Sequence, residues 1–281
     1  MIKYREISGL IFLKKLLKEL KQLLKIGIPI YGSQISYMGM GVTDTIVAGQ
    51  ASALDLSGLA IGNALSFPIY FLLGGCLFAV TPIVAQLFGA RKYTEIGQKV
   101  REILWVSFAI GLIGFIAYRN LSFFIPFFDI DQDIAIISDG YLKAMSYGFV
   151  ANMIITCLRC CSEGMGLTLP VFWVAFIGML LNIPLDIIFV YGYFGIPSMG
   201  GVGCGIATSI NVTIELLVLI LILLKKKDYL PIELFSKFSP PNKATTIEAL
   251  KLGLPIGFGV FVELSMFSGA ALIIGSLGAK I

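Results

Sequence analysis

Hydrophobic residues occur along most of the chain in runs long enough to cross a membrane, and short segments between the runs carry most of the charges. A transmembrane helix needs about 20 consecutive, mainly apolar residues. The second run is longer than a bilayer core requires, so we expect it to tilt, to bend at Pro68 or at Gly74 and Gly75, or to continue into the cytoplasm. The pattern predicts seven spans, at residues 26 to 49, 54 to 87, 103 to 125, 141 to 161, 169 to 191, 202 to 224 and 252 to 276.

Two segments outside the spans have patterns of their own. In residues 1 to 25, leucines recur at intervals of three and four positions among seven basic residues, as is typical of an amphipathic helix on a membrane surface. Residues 225 to 251 contain prolines and several lysines and predict a cytoplasmic linker.

A short motif occurs twice and divides the chain. The sequence LKIGIPI at residues 24 to 30 returns as LKLGLPI at residues 250 to 256, with five of seven positions identical. Six predicted spans, in residues 26 to 224, lie before the second copy and one span, in residues 252 to 281, follows it. The pattern therefore predicts a six-helix lobe and the first helix of a second, parallel repeat.

The composition supports a membrane protein and argues against an enzyme. The chain is 57% hydrophobic and 14% charged, with a mean hydropathy of +0.92, whereas a soluble domain is about 25% charged. It contains no histidine, which removes histidine bases and ligands, and its five cysteines lie in or beside apolar runs, where cysteine acts as a small apolar residue. We predict an all-α integral membrane protein with no catalytic residues and no cofactor.

The basic residues predict the orientation. Of the 21 Lys and Arg residues, 18 fall in the N-terminal segment and in alternate connections, which we assign to the cytoplasm. The N-terminus is therefore predicted to be cytoplasmic and the protein to lie in the inner (plasma) membrane. Because orientation explains the positive charge, no nucleic-acid partner is predicted.

Four acidic residues lie well inside the predicted spans, away from their ends: Asp44, Asp186, Glu215 and Glu263. An ionised carboxylate without a cationic partner is costly in a membrane, so each must be protonated, hydrated or bound to a cation. We expect no basic residue beside them. Arg159 and Glu163, at the cytoplasmic end of the fourth span, are expected to form an ordinary salt bridge.

Asp44 and Asp186 are predicted to share a site. Each lies about five residues inside the outer end of its span, and Asn182 lies one helical turn from Asp186 on the same face. Oxygen ligands of this kind suit a proton or a hard ion, so Na⁺ would be the metal bound. The alternative is a pair of neutral carboxyl groups that are hydrogen-bonded to helix backbones. Glu263 lies near the midplane and is a candidate for a substrate or coupling site, whereas the sequence leaves the role of Glu215 open.

Several segments resemble the multidrug and toxic compound extrusion (MATE) transporters, in particular their bacterial NorM-like branch. They are residues 41 to 50 (GVTDTIVAGQ), 82 to 92 (PIVAQLFGARK), 159 to 171 (RCCSEGMGLTLPV), 181 to 209 and 252 to 264. The resemblance implies an antiporter of two six-helix lobes that exports amphipathic, often cationic drugs in exchange for Na⁺ or H⁺. It would leave the later part of a second lobe, about five further helices, missing from this chain.

The resemblance also implies site residues. The family's first-helix aspartate matches Asp44, its cation-site Asn and Asp match Asn182 and Asp186, a sixth-helix threonine matches Thr208, and the seventh-helix acid matches Glu263. Glu215 matches no family position. Two alternatives remain: a flippase for lipid-linked oligosaccharides, which would be expected to have basic residues for a pyrophosphate in its cavity, and an intramembrane enzyme, which would need a nucleophile and a base.

Overall fold

The computed structural model describes the backbone of residues 2 to 128 and 130 to 278, and the side chains of residues 16 to 128 and 130 to 270. All regular structure in these residues is helical, which confirms the all-α prediction. The α-helices are α1 (Ile2–Ala51), α2 (Ala53–Phe78), α3 (Val80–Gly89), α4 (Tyr93–Asn120), α5 (Gln132–Gly164), α6 (Thr168–Tyr191), α7 (Gly201–Lys225) and α8 (Lys243–Gly278). Short 3₁₀ helices occupy Leu121–Phe128 and Lys227–Ile232.

Six helical segments in the described part of the chain are long and apolar enough to span a membrane, so the protein is a multi-pass membrane protein. They correspond to the second to seventh predicted spans. The first predicted span, residues 26 to 49, is helical as part of α1 but is not among the six. The six segments are Ala53–Gly89, Tyr93–Phe128, Gln132–Gly164, Thr168–Tyr191, Gly201–Lys225 and Lys243–Ala270.

Helix α1 differs from the prediction because it contains no boundary at residue 25. The predicted surface helix and the first span form one helix of 50 residues, which passes through Pro29. Leucine, lysine and glutamate dominate residues 16 to 25 and all favour helix, so nothing in this stretch stops the helix. That the first 25 residues lie on a membrane surface remains a prediction.

The helix of the long second span is interrupted at Ala79, and not at Pro68 or at the Gly74 and Gly75 pair, where a bend was considered. Pro68 lies inside α2, and α2 continues through both glycines to Phe78. The break lies just before Pro82, whose nitrogen cannot donate to the carbonyl of Phe78 and whose ring crowds that carbonyl.

The helices pack into a bundle with α5 at its centre. Helix α5 contacts α2, α3, α4 and α7, while α6 lies between α1 and α7. Glycines allow two of these contacts to be close: a Cβ atom on Gly148 would lie 2.8 Å from the Cα of Ser209, and one on Gly111 would lie 2.9 Å from the Cα of Val150. The core between the helices is apolar and includes Leu77, Ile96, Ile103, Leu142, Met153 and Leu158.

Helix α8 packs along α2 with its backbone very close. A Cβ atom on Gly75 would lie 2.1 Å from the Cα of Gly257, and one on Gly253 would lie 2.2 Å from the carbonyl oxygen of Cys76. No side chain fits at these positions without movement of a backbone, so the contact depends on glycine.

One end of the bundle, where α1 ends and α2 begins, is called the Ser52 end. The Ser52 hydroxyl caps α2 by accepting a hydrogen bond from the backbone N–H of Asp55 at 2.9 Å. The Asp55 carboxylate accepts a bond of 2.6 Å from the backbone N–H of Gly201, at the first turn of α7. A carboxylate is favourable at a helix N-terminus, so Asp55 fastens α2 to α7.

At the other end of the bundle, the segment between α7 and α8 is docked on α4. We call residues 226 to 242 the linker; they are fewer than the predicted 225 to 251 because α8 begins at Lys243. Arg101 of α4 donates to the carbonyl oxygen of Glu233 at 2.6 Å and to the Ser239 hydroxyl at 2.9 Å. Burial raises the pKa of Tyr229 to about 12, and its neutral hydroxyl lies 3.2 Å from the Ser162 hydroxyl of α5.

Candidate cation site and inner cavity

Three polar side chains meet between α1 and α6 near the Ser52 end. The amide nitrogen of Asn182 donates to Asp44 Oδ1 and to Asp186 Oδ2, both at 2.7 Å. Thr208 of α7 lies 3.3 Å from the second oxygen of Asp44. Asn182 and Asp186 are fully buried and Asp44 is 5% exposed. The structure therefore brings together the four residues that were predicted for this site.

Local sequence explains this geometry. Asn182 and Asp186 are separated by one turn of α6, so both point the same way. Helix α1 approaches them closely through Gly39, where a Cβ atom would lie 2.5 Å from the Met179 sulfur of α6. Asp44 is five residues further along α1 and is thereby placed opposite Asn182.

The site has oxygen atoms available for a cation. Asn182 Oδ1 and Asp186 Oδ1 are buried and have no hydrogen-bond partner. Two carboxylates that share one amide donor cannot both stay ionised in an apolar interior unless a cation binds them. Without a cation, at least one of the two acids holds a proton. Among the described residues, no group of three or more His, Cys, Asp or Glu side chains is placed to hold a metal ion, so this site combines two acids with neutral ligands. Such a donor set fits a proton or a hard monovalent cation better than a soft metal.

A cavity of about 200 Å³ lies further inside the lobe, between α1, α2, α5 and α7. Thr208 lines this inner cavity and also approaches Asp44, so the cavity and the cation site are neighbours. The lining combines aromatic, polar and charged side chains, including Tyr37, Tyr70, Phe71, Asn152, Arg159 and Glu215.

Arg159 corrects the expectation that no basic residue lies beside the intramembrane acids. It lines the inner cavity, and its guanidinium carbon lies 5.3 Å from the centre of the Tyr37 ring. Its Nε is 3.7 Å from Glu163 Oε1, which is within salt-bridge range, but that nitrogen is buried and makes no hydrogen bond. The predicted salt bridge with Glu163 is therefore present, at a distance too long for a hydrogen bond.

Glu215 and Glu263 have opposite surroundings. Glu215 is 3% exposed, lines the inner cavity and accepts a hydrogen bond of 3.2 Å from Asn211, one turn earlier on α7. Glu263 is exposed on α8 and is not among the residues that line the cavity. The structure thus brings Glu215, but not Glu263, into the interior of the lobe.

Sequence reasoning missed Asp55 and the cavity-facing position of Arg159. A signal for Asp55 was present, because Ser52 followed three residues later by an acid is the pattern of a helix cap. No comparable signal existed for Arg159, since its direction depends on the rotation of α5 within the bundle.

The fold and the site define a helical membrane protein of the MatE type. The MatE family model matches residues 29 to 188, and the chain belongs to that family. In Haemophilus ducreyi, a "Probable multidrug resistance protein NorM" is 36% identical over 261 residues, which are 92% of this chain and 56% of the relative. In Pseudomonas aeruginosa, the "Multidrug resistance protein PmpM" is 37% identical over 264 residues, covering 94% of this chain and 55% of the relative.

Solved structures of the family share the fold. A eukaryotic MATE transporter, AtDTX14, superposes with a TM-score of 0.80 at 17% identity, over 92% of this chain and 57% of that one. An outward-facing multidrug resistance MATE family transporter superposes with a TM-score of 0.74 at 20% sequence identity, and the match covers 85% of this chain and 52% of that one. The chain spans little more than half the length of the relatives it matches, and the two solved structures are those of transporters.

Proposed function

We propose that this chain forms the first lobe, and the first helix of the second lobe, of a cation-coupled multidrug antiporter. The coupling ion is Na⁺ or H⁺ and binds at Asp44, Asn182, Asp186 and Thr208. The observation that carries the proposal is the pair of buried carboxylates joined by one amide, with two buried oxygens beside them that have no partner. The coupling ion is a substrate, and no cofactor is needed.

The exchange follows from the cost of burying charge. An occupied site neutralises the two acids and favours a different packing of the helices from the empty site. Drug and ion then oppose each other through that difference, without needing to touch the same atoms. The exported compounds would be amphipathic cations, and Glu263 would contribute a further cation or substrate site in the second lobe.

The remaining parts of the proposal concern the whole protein. A second lobe with about five further helices would complete the transporter, since the relatives are nearly twice as long. The lobes would comprise residues 26 to 224 and 252 onward, and the protein would lie in the inner membrane with a cytoplasmic N-terminus. A flippase is not favoured, because the described cavity holds one guanidinium facing an acid rather than the basic cluster that a pyrophosphate requires.

The purified chain in detergent tests the site directly. We expect Na⁺, but not an equal concentration of choline, to raise the melting temperature; at 100 times Kd the stabilisation would be about 2.7 kcal/mol. Asp44→Asn should remove the effect and Asn182→Ala should weaken it, whereas the surface variant Asp139→Asn should keep it. If protons are the coupling ion, lowering the pH should replace Na⁺ in this role. A response to both ions that persists in the Asp44→Asn, Asp186→Asn double variant would refute the site.

A further inference from the structure

The inner cavity contains an acid that the candidate cation site does not use. Glu215 is almost completely buried, yet its only hydrogen bond in the described structure comes from Asn211 on its own helix. A buried carboxylate with so few donors is unfavourable in its charged form.

The surroundings of Glu215 repeat the arrangement at the cation site. In both places an asparagine lies one turn before an acid and donates to it: Asn182 to Asp186 on α6, and Asn211 to Glu215 on α7. In both places the asparagine Oδ1 is buried and has no partner. Asn211 also donates to the sulfur of Met40, a weak acceptor, at 3.1 Å.

The neighbouring helix leaves room for the acid. A Cβ atom on Gly178 of α6 would lie 1.7 Å from Glu215 Oε1, so the carboxyl group occupies the space of a missing side chain. Thr208, Asn211 and Glu215 lie on one face of α7, at intervals of three and four residues, and all three line the cavity. Glu215 is seven residues, or about 10 Å, deeper than Thr208.

The charged and titratable groups around Glu215 are few. Arg159 of α5, Tyr37 of α1 and Tyr70 of α2 line the same cavity, and Glu163 lies behind Arg159. The guanidinium of Arg159 rests on Tyr37 and is not within ion-pair distance of Glu215. An arginine that faces an acid across a cavity without pairing with it is expected when that acid is protonated.

We infer that Glu215 is a second proton-binding site of the lobe, separate from the Asp44 site, with Arg159 as its counter-charge. The cavity is large enough for several water molecules, each of which takes about 30 Å³, and these deliver the proton. Hydronium transfers a proton to the Glu215 carboxylate and leaves water and a neutral acid. When the proton leaves, the guanidinium is drawn from Tyr37 and Glu163 toward the charged acid.

A metal ion is a poorer ligand for this position. Hard cations need several oxygen ligands. On α7 only Glu215 and Asn211 offer them to the cavity at this depth, because Thr208 lies about 10 Å away along the helix, and the guanidinium across the cavity repels a fixed cation. The inference concerns proton binding alone and does not depend on transport.

Infrared spectroscopy of the reconstituted chain tests it. The difference spectrum between acidic and alkaline pH should contain the carbonyl band of a protonated carboxylic acid that titrates. We expect Glu215→Gln to lose this band and Glu215→Asp to shift it, while the Asp44→Asn, Asp186→Asn double variant retains it. Circular dichroism and size-exclusion chromatography would check that each variant folds.

Arg159 provides the second arm of the test. Arg159→Gln should raise the proton affinity of Glu215 by about tenfold, which moves the midpoint of the band to higher pH, because a cation facing the acid across the cavity favours the ionised acid. Arg159→Lys should leave the midpoint close to that of the parent chain. A spectrum of Glu215→Gln identical to the parent's, a midpoint unmoved in Arg159→Gln, or loss of the band on adding Na⁺ at constant pH would each overturn the inference.

Discussion

At the scale of single residues, the position of Glu215 depends on the missing side chain of a glycine on the neighbouring helix α6. Gly178 has no side chain, and the carboxyl group fills that space. The glycine therefore determines where the acid lies, although it has no chemistry of its own.

Gly178→Ala should displace Glu215 and destabilise the chain by about 1 to 3 kcal/mol, the usual result of overpacking a buried contact. The matched control is Gly41→Ala on α1, where an added Cβ meets nothing within 4 Å. In an open helical position that substitution stabilises by about 0.5 to 1 kcal/mol. Thermal unfolding of both variants measures the difference, and equal melting temperatures would contradict the packing described here.

The sequence predicts residues well where one helix fixes their relationship. Asn182 and Asp186 are one turn apart, and the depth of Asp44 in its span was enough to place it with them. Arg159 and Glu215 were beyond such reasoning, because spacing along a helix does not determine how that helix is rotated toward its neighbours.

At the scale of elements, the linker is part of the bundle. Arg101 and Trp105 of α4 both bond to it, and a Cβ atom on Gly97 would lie 1.7 Å from the carbonyl oxygen of Ile232. The composition of residues 225 to 251 predicted a cytoplasmic linker, but composition does not record this docking.

Arg101→Gln should release the linker, because the charged guanidinium of Arg101 donates three hydrogen bonds to it, and hydrogen bonds from charged groups contribute about 1.5 to 3 kcal/mol each. We expect trypsin to cut after the exposed Lys237 about tenfold faster than in the parent chain. Lys92→Gln, which removes an exposed surface ion pair with Glu95, should leave the rate unchanged. Equal rates in the Arg101 variant and the parent would show that other contacts hold the linker.

The helices themselves were predicted well, and their ends less well. Long apolar runs mark the spans because lipid requires them. The break at Ala79 arises from a proline three residues later, and the uninterrupted α1 arises from good helix formers on both sides of residue 25. The break at Ala79 and the continuity of α1 both depend on local sequence. They are hard to predict because other prolines, Pro29 and Pro68, lie inside helices that continue past them.

At the scale of the whole molecule, the orientation in the membrane rests on the distribution of basic residues and can be measured. Introduced cysteines at Asp133 and Ser198, both exposed, should react with an impermeant reagent from outside the cell, and one at Ser236 should react only after permeabilisation. The native cysteines are all buried, so background labelling should be low. Ser138 is unsuitable because it is buried and bonded to Gly58. Labelling of position 236 in intact cells would reverse the topology.

Expression of this chain alone should give no drug resistance and no dye efflux. A cavity between two lobes needs both, and α8 here exposes Glu263 and most of its apolar surface. Drug susceptibility of an efflux-deficient host measures this, with immunoblotting of membranes to show that the chain is inserted. Efflux by the chain without a second fragment would mean that two copies assemble into a transporter.

The contact between α2 and α8 has a consequence for dividing the protein into pieces. The repeated motif assigns α8 to the second repeat, but Gly75 and Gly257 join it to the first lobe almost backbone to backbone. A cut at the repeat boundary, between Lys225 and Lys243, would uncover a strip of α2 that has glycines where side chains would otherwise shield its polar backbone from lipid. A fragment intended for crystallisation or for a split-gene experiment should therefore keep α8 with the helices it contacts. The sequence repeat begins just before α8, but the set of helices that pack together includes α8.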